Sequence, residues 1–510
     1  MSVRIKCHHH ADRVSADWRR LPRDPVTLAI NAFLVVLAAF AAVGSAYGTP
    51  PDFFRTERDL SALPPVRLLS SASPGPCVLG VLGVPLSLAE AVDRALCQNA
   101  KTRQAWASVR EQAANEGAAL AAYLPTVTAT LQGVRDESKT YVTDYPSLNS
   151  ENRARVNSQT ISVNWLLFDF GGRAAALASS QHLVAASTAN QASTLQAVFE
   201  SVATDYLSTQ AAAAKLAADG EAQQIAENSL AVASERVKRG LAAITDELQA
   251  QTAYLQARLA VAKSDAEFRS SLGQLAVDMG MNPNSALEVP PAADTGEPTP
   301  DFHVAVETLI AEAESAHPDI AAAREQLYAA KAQADGVRSR ALPTVSLIAK
   351  YSHNNQPVSF GLGEPLLPAT GRDVYFGVQI QIPIFEGFGS SYQLRSARAR
   401  EEHQQYVLDQ TTLQVGLDVW KSYHTLLADT QNFSTALALH TVAKSAFQAA
   451  KRRYVVGVGS ILELLNAQTA LSEASKARVA ASIGWRSSRL HLAAKIGRLD
   501  ATTLSGLDDR

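Results

Sequence analysis

The sequence is poor in residues that interrupt or staple a chain. No proline occurs in residues 147–282 or 384–510, so neither span contains the residue that most reliably breaks a helix. Cysteine is nearly absent: Cys7, Cys77 and Cys97 are all there is in 510 residues, too few for a disulfide-built scaffold. An excess of one charge is also lacking, with 46 basic residues against 49 acidic ones, and this excludes the basic face that a nucleic-acid partner normally needs. Catalytic signatures are missing too. The chain has no H-E-x-x-H, P-loop, G-x-S-x-G or paired-Cys zinc spacing. "GVGSIL" and "GFGSS" do not complete a phosphate loop, so no enzyme activity and no cofactor is expected.

At the N-terminus, Arg19, Arg20 and Arg23 precede the apolar run "LAINAFLVVLAAFAAVGSAYG", which closes on small residues suited to cleavage near Ala46 or Gly48. Residues 1–48 are expected to be a secretory signal; a single membrane anchor is the other reading of such a run. Cys7 would leave with the signal, and the "CHHH" cluster at 7–10 with it, so no metal site is expected there. Cys77 and Cys97 remain as a pair that an oxidising periplasm would allow. No Cys directly follows the apolar run, which argues against N-terminal lipidation. The Pro-rich residues 49–84 and 287–302 read as linkers.

What the chain does have is an internal copy. "LPTV" at 124–127 recurs at 342–345. "ISVNWLLFDFGG" at 161–172 matches "VQIQIPIFEGFG" at 378–389, and "RGLAAITDELQAQT" at 239–252 matches "VGVGSILELLNAQT" at 456–469. The offsets are constant to one residue, so the chain is a duplication with repeats at 85–286 and 303–497 and a tail at 498–510. After each LPTV the period falls to two. Val127, Ala129 and Leu131 alternate with Thr126, Thr128, Thr130 and Gln132, and Ile161, Val163, Trp165 and Leu167 alternate with Thr160, Ser162 and Asn164. In the second copy Val345, Leu347 and Ala349, then Val378, Ile380, Ile382 and Ile384, do the same. These spacings predict two hairpins, four strands with one apolar and one polar face, joined by polar loops at 139–155 and 354–372. Tyr123, Trp165, Phe168, Tyr351, Tyr375 and Phe385 stand near strand ends, where membrane barrels carry aromatic girdles.

Four strands leave open edges, which lipid does not tolerate. A barrel must therefore be shared between copies: two at the least, with twelve strands for three. The proline-free spans predict long helices. One through-helix over 170–238, about 100 Å at 1.5 Å per residue, would lie beside a leading helix at 85–123 and a return helix at 246–279. The fold class expected is mainly α with a β-barrel portion, a duplicated unit of coiled-coil helices and two hairpins.

In this order, the LPTV strand entries, the "LFDFGG" and "IFEGFG" turns, and the glycine turns before "ITDELQAQTA" and "ILELLNAQTA" resemble the TolC-like outer-membrane efflux proteins, over about residues 84–497. That resemblance implies a homotrimer with a twelve-stranded barrel in outer-membrane lipid and a helical tunnel through the periplasm. It implies as partners a periplasmic adaptor protein and an inner-membrane ABC transporter, or alternatively an RND pump. Gly240, Gly457 and Gly459 fall at the periplasmic tip turns. Thr245, Asp246 and Tyr454 fall on positions that latch the tip, and Glu463 and Asn466 on the pore constriction. Two departures stand out: Gly459 replaces a family Arg, and Asn466 replaces a second acidic ring residue. Arg453 or Arg452 against Asp246 is the substitute latch to look for.

The tip pattern G-x-x-x-I-L-x-L-L-N-A is more similar to ducts of type I protein secretion, including export of repeat-in-toxin proteins of the adenylate cyclase–haemolysin (cyclolysin) type, than to lipidated drug-pump ducts. Multidrug or small-molecule efflux is the alternative. A purely structural periplasmic coiled coil would explain the helices but leave the four alternating strands without a purpose.

Overall fold

The computed structural model describes residues 52–57, 82, 84–291, 305–361, 364 and 366–497. The expected signal, the CHHH cluster, Cys77, most of both linkers and the tail lie outside the described residues; Cys97 is disulfide-bonded. The elements belong to one compact unit that begins at Thr56. In chain order they are α1 (Leu88–Gln98), α2 (Ala100–Ala121), β1 (Thr126–Thr140), β2 (Ser150–Phe168), α3 (Gly172–Lys238), α4 (Ile244–Asp278), α5 (Val306–Ala316), α6 (Pro318–Ser339), β3 (Thr344–Asn354), β4 (Gly371–Gln381), α7 (Gly389–Val455) and α8 (Ile461–Ile496), with a 3-10 turn at Pro146–Leu148. Helix–helix–strand–strand–helix–helix occurs twice, as the duplication requires.

The two through-helices α3 and α7 are 67 residues each, about 100 Å long. Each leading segment is two helices, not one. Asn99 turns the backbone to an extended ψ of 134°, its Oδ1 accepts from Lys101 N–H at 2.8 Å, and its Nδ2 donates to the Asp278 carbonyl at 2.8 Å, at the end of α4. A side chain that caps both an N-terminus and a neighbouring C-terminus stabilises the break. In the second copy His317 breaks the helix before Pro318, as the residue preceding a proline is biased to do.

Around these breaks lie two apolar cores. One gathers Leu88, Val92 and Leu96 of α1 against Phe199, Val202 and Tyr206 of α3 and Leu490 of α8, with the Tyr206 hydroxyl donating to the Leu86 carbonyl at 2.9 Å. The other gathers Leu309 and Ile320 against Val419, Phe433 and Trp485. Beside the first, Asp205 faces Asp278, and burial, then the hydrogen bond and charge of Asp278, push the Asp205 carboxyl up to about 7. The folded state thus holds a proton that the unfolded chain, with a value of 3.8, releases. The stability tied to that proton is fully present below about pH 4 and is lost as pH rises to about 7. Asp205→Asn is expected to flatten the fall in thermal midpoint between pH 4 and 7; an unchanged pH profile would show that the pair does not share a proton.

The strands form one antiparallel sheet in the order β1-β2-β3-β4, so β1 and β4 are open edges. The register puts Val127, Val163, Ala349 and Phe376 in one row across all four strands, and Ala129, Ile161, Tyr351 and Val374 in another. On the opposite face, Thr128, Ser162, Lys350 and Tyr375 form a row, as do Thr130, Thr160, Ser352 and Asp373. The Thr128 and Ser162 hydroxyls meet at 2.6 Å. The alternation read from each strand therefore becomes one apolar and one polar face of a single sheet.

Three expectations change. Tyr375 stands on the polar face, because Val374 and Phe376 take the apolar positions. β4 ends at Gln381, so Ile382 and Ile384 lie beyond it, where Pro383 has no N–H to pair. The first hairpin loop shrinks to residues 141–149, because charged cross-strand pairs carry the ladder past the apolar segment. The sheet meets the helices at "LFDFGG" and "IFEGFG", where Phe170 and Phe388 adopt φ of 52° and 65°. Arg173 seals the first junction by donating to the Leu166 and Leu167 carbonyls at 2.6 and 3.0 Å.

Candidate functional site at the helical tip

Far from the sheet, α3 turns into α4 and α7 into α8, and glycine is what permits both reversals. Gly240 and Gly457 have φ of 71° and 85°, a left-handed backbone that costs glycine least. In each, the glycine N–H bonds the carbonyl three residues back and the next N–H bonds the carbonyl five residues back: Gly240 to Val237 and Leu241 to Arg236, then Gly457 to Tyr454 and Val458 to Arg453. These closures satisfy carbonyls that a helix end otherwise leaves free. Gly459 lies close against the end of α7. A Cβ there would sit 3.0 Å from Arg453 Cβ and 3.1 Å from Tyr454 N, so any side chain in place of Gly459 crowds the last turn of α7. Ser460 then caps α8, accepting from Glu463 N–H at 3.1 Å.

Beneath the turns is a third core, in which Tyr454, Phe447, Ile461 and Leu464 of the second hairpin pack on Ala233 and Ala250 of the first. Arg236 crosses between the hairpins. Its guanidinium lies over the Tyr454 ring, 4.8 Å from the centroid, and donates to the Tyr454 carbonyl. The Tyr454 hydroxyl is buried and, among the described residues, has no hydrogen-bond partner. Burial raises its pKa, the nearby Asp246 charge adds to this, and Arg236 opposes it.

Higher up, the hairpins are tied again. Lys476 of α8 pairs with the buried Asp219 of α3 at 3.0 Å, and Ser229 donates to Gln468 at 3.2 Å. Burial acts to lower the Lys476 pKa, but the hydrogen bonds and charges of Asp219 and Glu473 together raise it.

The substitute latch does not form as expected. Arg453 pairs with Glu463 of its own hairpin, Nε to Oε1 at 3.1 Å, and neither residue is buried. The two meet because the tight turn brings the last turn of α7 and the first turn of α8 side by side. Arg452 is exposed in that last turn, and Asp246 starts α4 at its N-terminal, dipole-favoured end. Thr245 and Asn466 do come together: with Leu248 and Leu462 they line a groove of ≈ 520 Å³ between α4 and α8.

Two reversals of long helices, tied hairpin to hairpin and carried on a one-sided sheet, are the arrangement that the family comparison then names. The profile of the outer membrane efflux protein family matches the chain twice, at residues 91–280 and 309–498. The chain belongs to the outer membrane efflux proteins. The Protein CyaE of Bordetella pertussis is 31% identical over 422 residues, covering 82% of this chain and 86% of that protein. The toluene efflux pump outer membrane protein TtgC of Pseudomonas putida is 27% identical, over 67% and 69% of the two chains. Among solved structures, the outer membrane protein VceC of Vibrio cholerae superposes with a TM-score of 0.67 at 21% identity, over 80% of this chain and 96% of that one, and so shares its fold.

This efflux protein is an outer-membrane channel with its helices on the periplasmic side. The comparison leaves the tip residues to the geometry, and the geometry adds one that sequence reasoning missed. Arg236 is the counterpart of Arg453 at the 217-residue repeat offset, each four residues before its turn glycine. That repeat equivalence was the available signal. Its different partner in each copy was not visible, because Tyr454 has Val237 as its counterpart and the first turn offers no ring to stack on.

Proposed function

We propose that three copies of this efflux protein close a twelve-stranded barrel and a helical tunnel, and that the assembly is a passive exit duct of a type I protein-secretion system. The observation that carries the duct reading is the sheet: one apolar face, two unpaired edges, and four junctions to helices at the same end. Open edges are not tolerated in lipid, so the sheet needs copies of itself on both sides. Work is done by an inner-membrane ABC transporter, and opening by a periplasmic adaptor that binds the open tip better than the closed one; the chain itself carries no catalytic step.

Secretion of a repeat-in-toxin protein, rather than efflux of small molecules, is supported by the "GVGSILELLNAQ" tip and by the similarity to CyaE extending further along the chain than that to TtgC. Deleting the gene in the native host tests this. Loss of a large secreted protein with unchanged tolerance of detergents and antibiotics is expected. Drug hypersensitivity with intact secretion would place the protein among small-molecule pumps.

At the constriction, Glu463 and Asn466 sit at i and i+3 on α8, neighbours on one helix face. Because Arg453 stands beside Glu463, Glu463→Gln would leave a ring of uncompensated cations. Cation preference, read from reversal potentials in a salt gradient, is expected to fall or invert. Unchanged selectivity would mean that Glu463 does not line the narrowest point.

A further inference from the structure

The first hairpin outgrows the second. The last β2–β3 pair is Ser158 with Asn354, while β1 and β2 stay paired to Thr140 and Ser150. Residues 150–157 therefore continue past β3, about 27 Å of strand. All helices attach at the other end of the sheet and lie in the periplasm, so this extension stands on the outer side of the membrane.

Its two faces continue those of the sheet. Counting by twos from Val127, Ala129 and Leu131, the lipid-side face carries Gly133, Arg135, Glu137 and Lys139, opposite Asn157, Arg155, Arg153 and Glu151. Glu137 pairs with Arg153 at 3.1 Å, Arg153 with Glu151 at 2.8 Å, and Lys139 with Glu151 at 3.1 Å. Four cations thus share two carboxylates. The surplus falls nearest the apolar band, where Arg135 stands directly opposite Arg155. Among the described residues neither guanidinium has an ion-pair partner. Like charges opposed across an antiparallel pair, with Cβ atoms about 4.5–5.5 Å apart, are destabilising. An anion seated between them reverses that sign, and a phosphate matches two guanidinium forks.

The site is held in place from below. Asn355 accepts from Asn157 N–H at 2.6 Å and donates to the Arg155 carbonyl at 3.2 Å, which pins β2 under the arginines. One step nearer the membrane, Arg372 lies over the Tyr351 ring, 5.5 Å from its centroid. Tyr351 shares its row with Ala129; Leu131 is the last apolar residue of β1 on this face, and from it to Arg135 is about 13 Å along the strand. That is headgroup height above a hydrocarbon face.

We propose that Arg135 and Arg155 form a binding site for the phosphate groups of lipid headgroups in the outer leaflet around the barrel, a clamp that fixes the depth of the duct in the membrane. The inference rests on the barrel reading for which face meets lipid.

The test uses the full protein reconstituted in phosphatidylcholine vesicles with a minor fraction of phosphatidic acid, then extracted and weighed by native mass spectrometry. The wild type is expected to retain phosphatidic acid. R135Q/R155Q is expected to retain it roughly 30-fold more weakly, the usual worth of two surface arginines near an anionic leaflet, and R135K/R155K to fall between them. Equal retention by the glutamine variant overturns the proposal. So does competition by inorganic phosphate at equal concentration, which would make this a site for free anions. So does loss of the heat-stable oligomer in neutral detergent for R135Q/R155Q alone, which would make the arginines a contact between copies. Failure of the wild type itself to insert would sink the barrel reading instead, and with it the face on which the clamp stands.

Discussion

Arg236→Ala is expected to raise the single-channel conductance of the reconstituted duct severalfold, with openings that the wild type shows only rarely. On the duct reading proposed above the two hairpins part as the tip opens, and Arg236 is the crossing side chain nearest the turns, bonded to the Tyr454 carbonyl and stacked on its ring. A hydrogen bond from a charged donor is worth about 1.5–3 kcal/mol and a partly buried cation–π contact about 0.5–2 kcal/mol. Losing even about 2 kcal/mol from the closed state shifts the closed-to-open ratio about 30-fold. Tyr454→Ala should behave alike, since it removes the ring from the tip core. Tyr454→Phe should not, because the hydroxyl it deletes has no hydrogen-bond partner among the described residues. An Arg236→Ala duct that stayed as closed as the wild type would show that the tip is held by contacts between copies, not within one chain.

Phe376→Lys is expected to deplete the protein from the outer-membrane fraction, whereas Tyr375→Lys should leave it there. The residues are neighbours, and Phe376 is the more exposed at 73% against 46%, so exposure in one chain would not single it out as the harmful site. The register does: Phe376 shares its row with Val127, Val163 and Ala349, and Tyr375 shares its row with Lys350 and Ser162. A lysine on the lipid face near the midplane costs about 2–4 kcal/mol per chain, while one on the polar face meets water. The reverse outcome, with Tyr375→Lys lost and Phe376→Lys tolerated, would turn the sheet inside out.

Much of this architecture was legible beforehand because it is written in local periods. Alternation in twos marked the strands, the proline-free spans marked α3 and α7, and the offset of 217 marked the glycine turns at Gly240 and Gly457. Where the reading failed, distant residues intervened. The leading helix breaks at Asn99 because the end of α4, 179 residues away, offers it a carbonyl. The hairpin of β1 and β2 runs on past the apolar segment because charges pair across it, strand to strand.

The candidate site divides the same way. Turn positions depend on backbone geometry that a glycine reveals by itself, whereas a latch depends on which side chain reaches which. Arg236 and Arg453 occupy equivalent positions and bind different groups, one a tyrosine in the other hairpin and one a carboxylate across its own turn. Sequence alone determined the duplication, the one-sided strands and the two reversals, since each is a pattern within a few residues or an identity between copies. Only the tertiary structure decided which face of the sheet each strand residue joins and which arginine ties the tip, because both are set by register and packing between segments far apart in the chain.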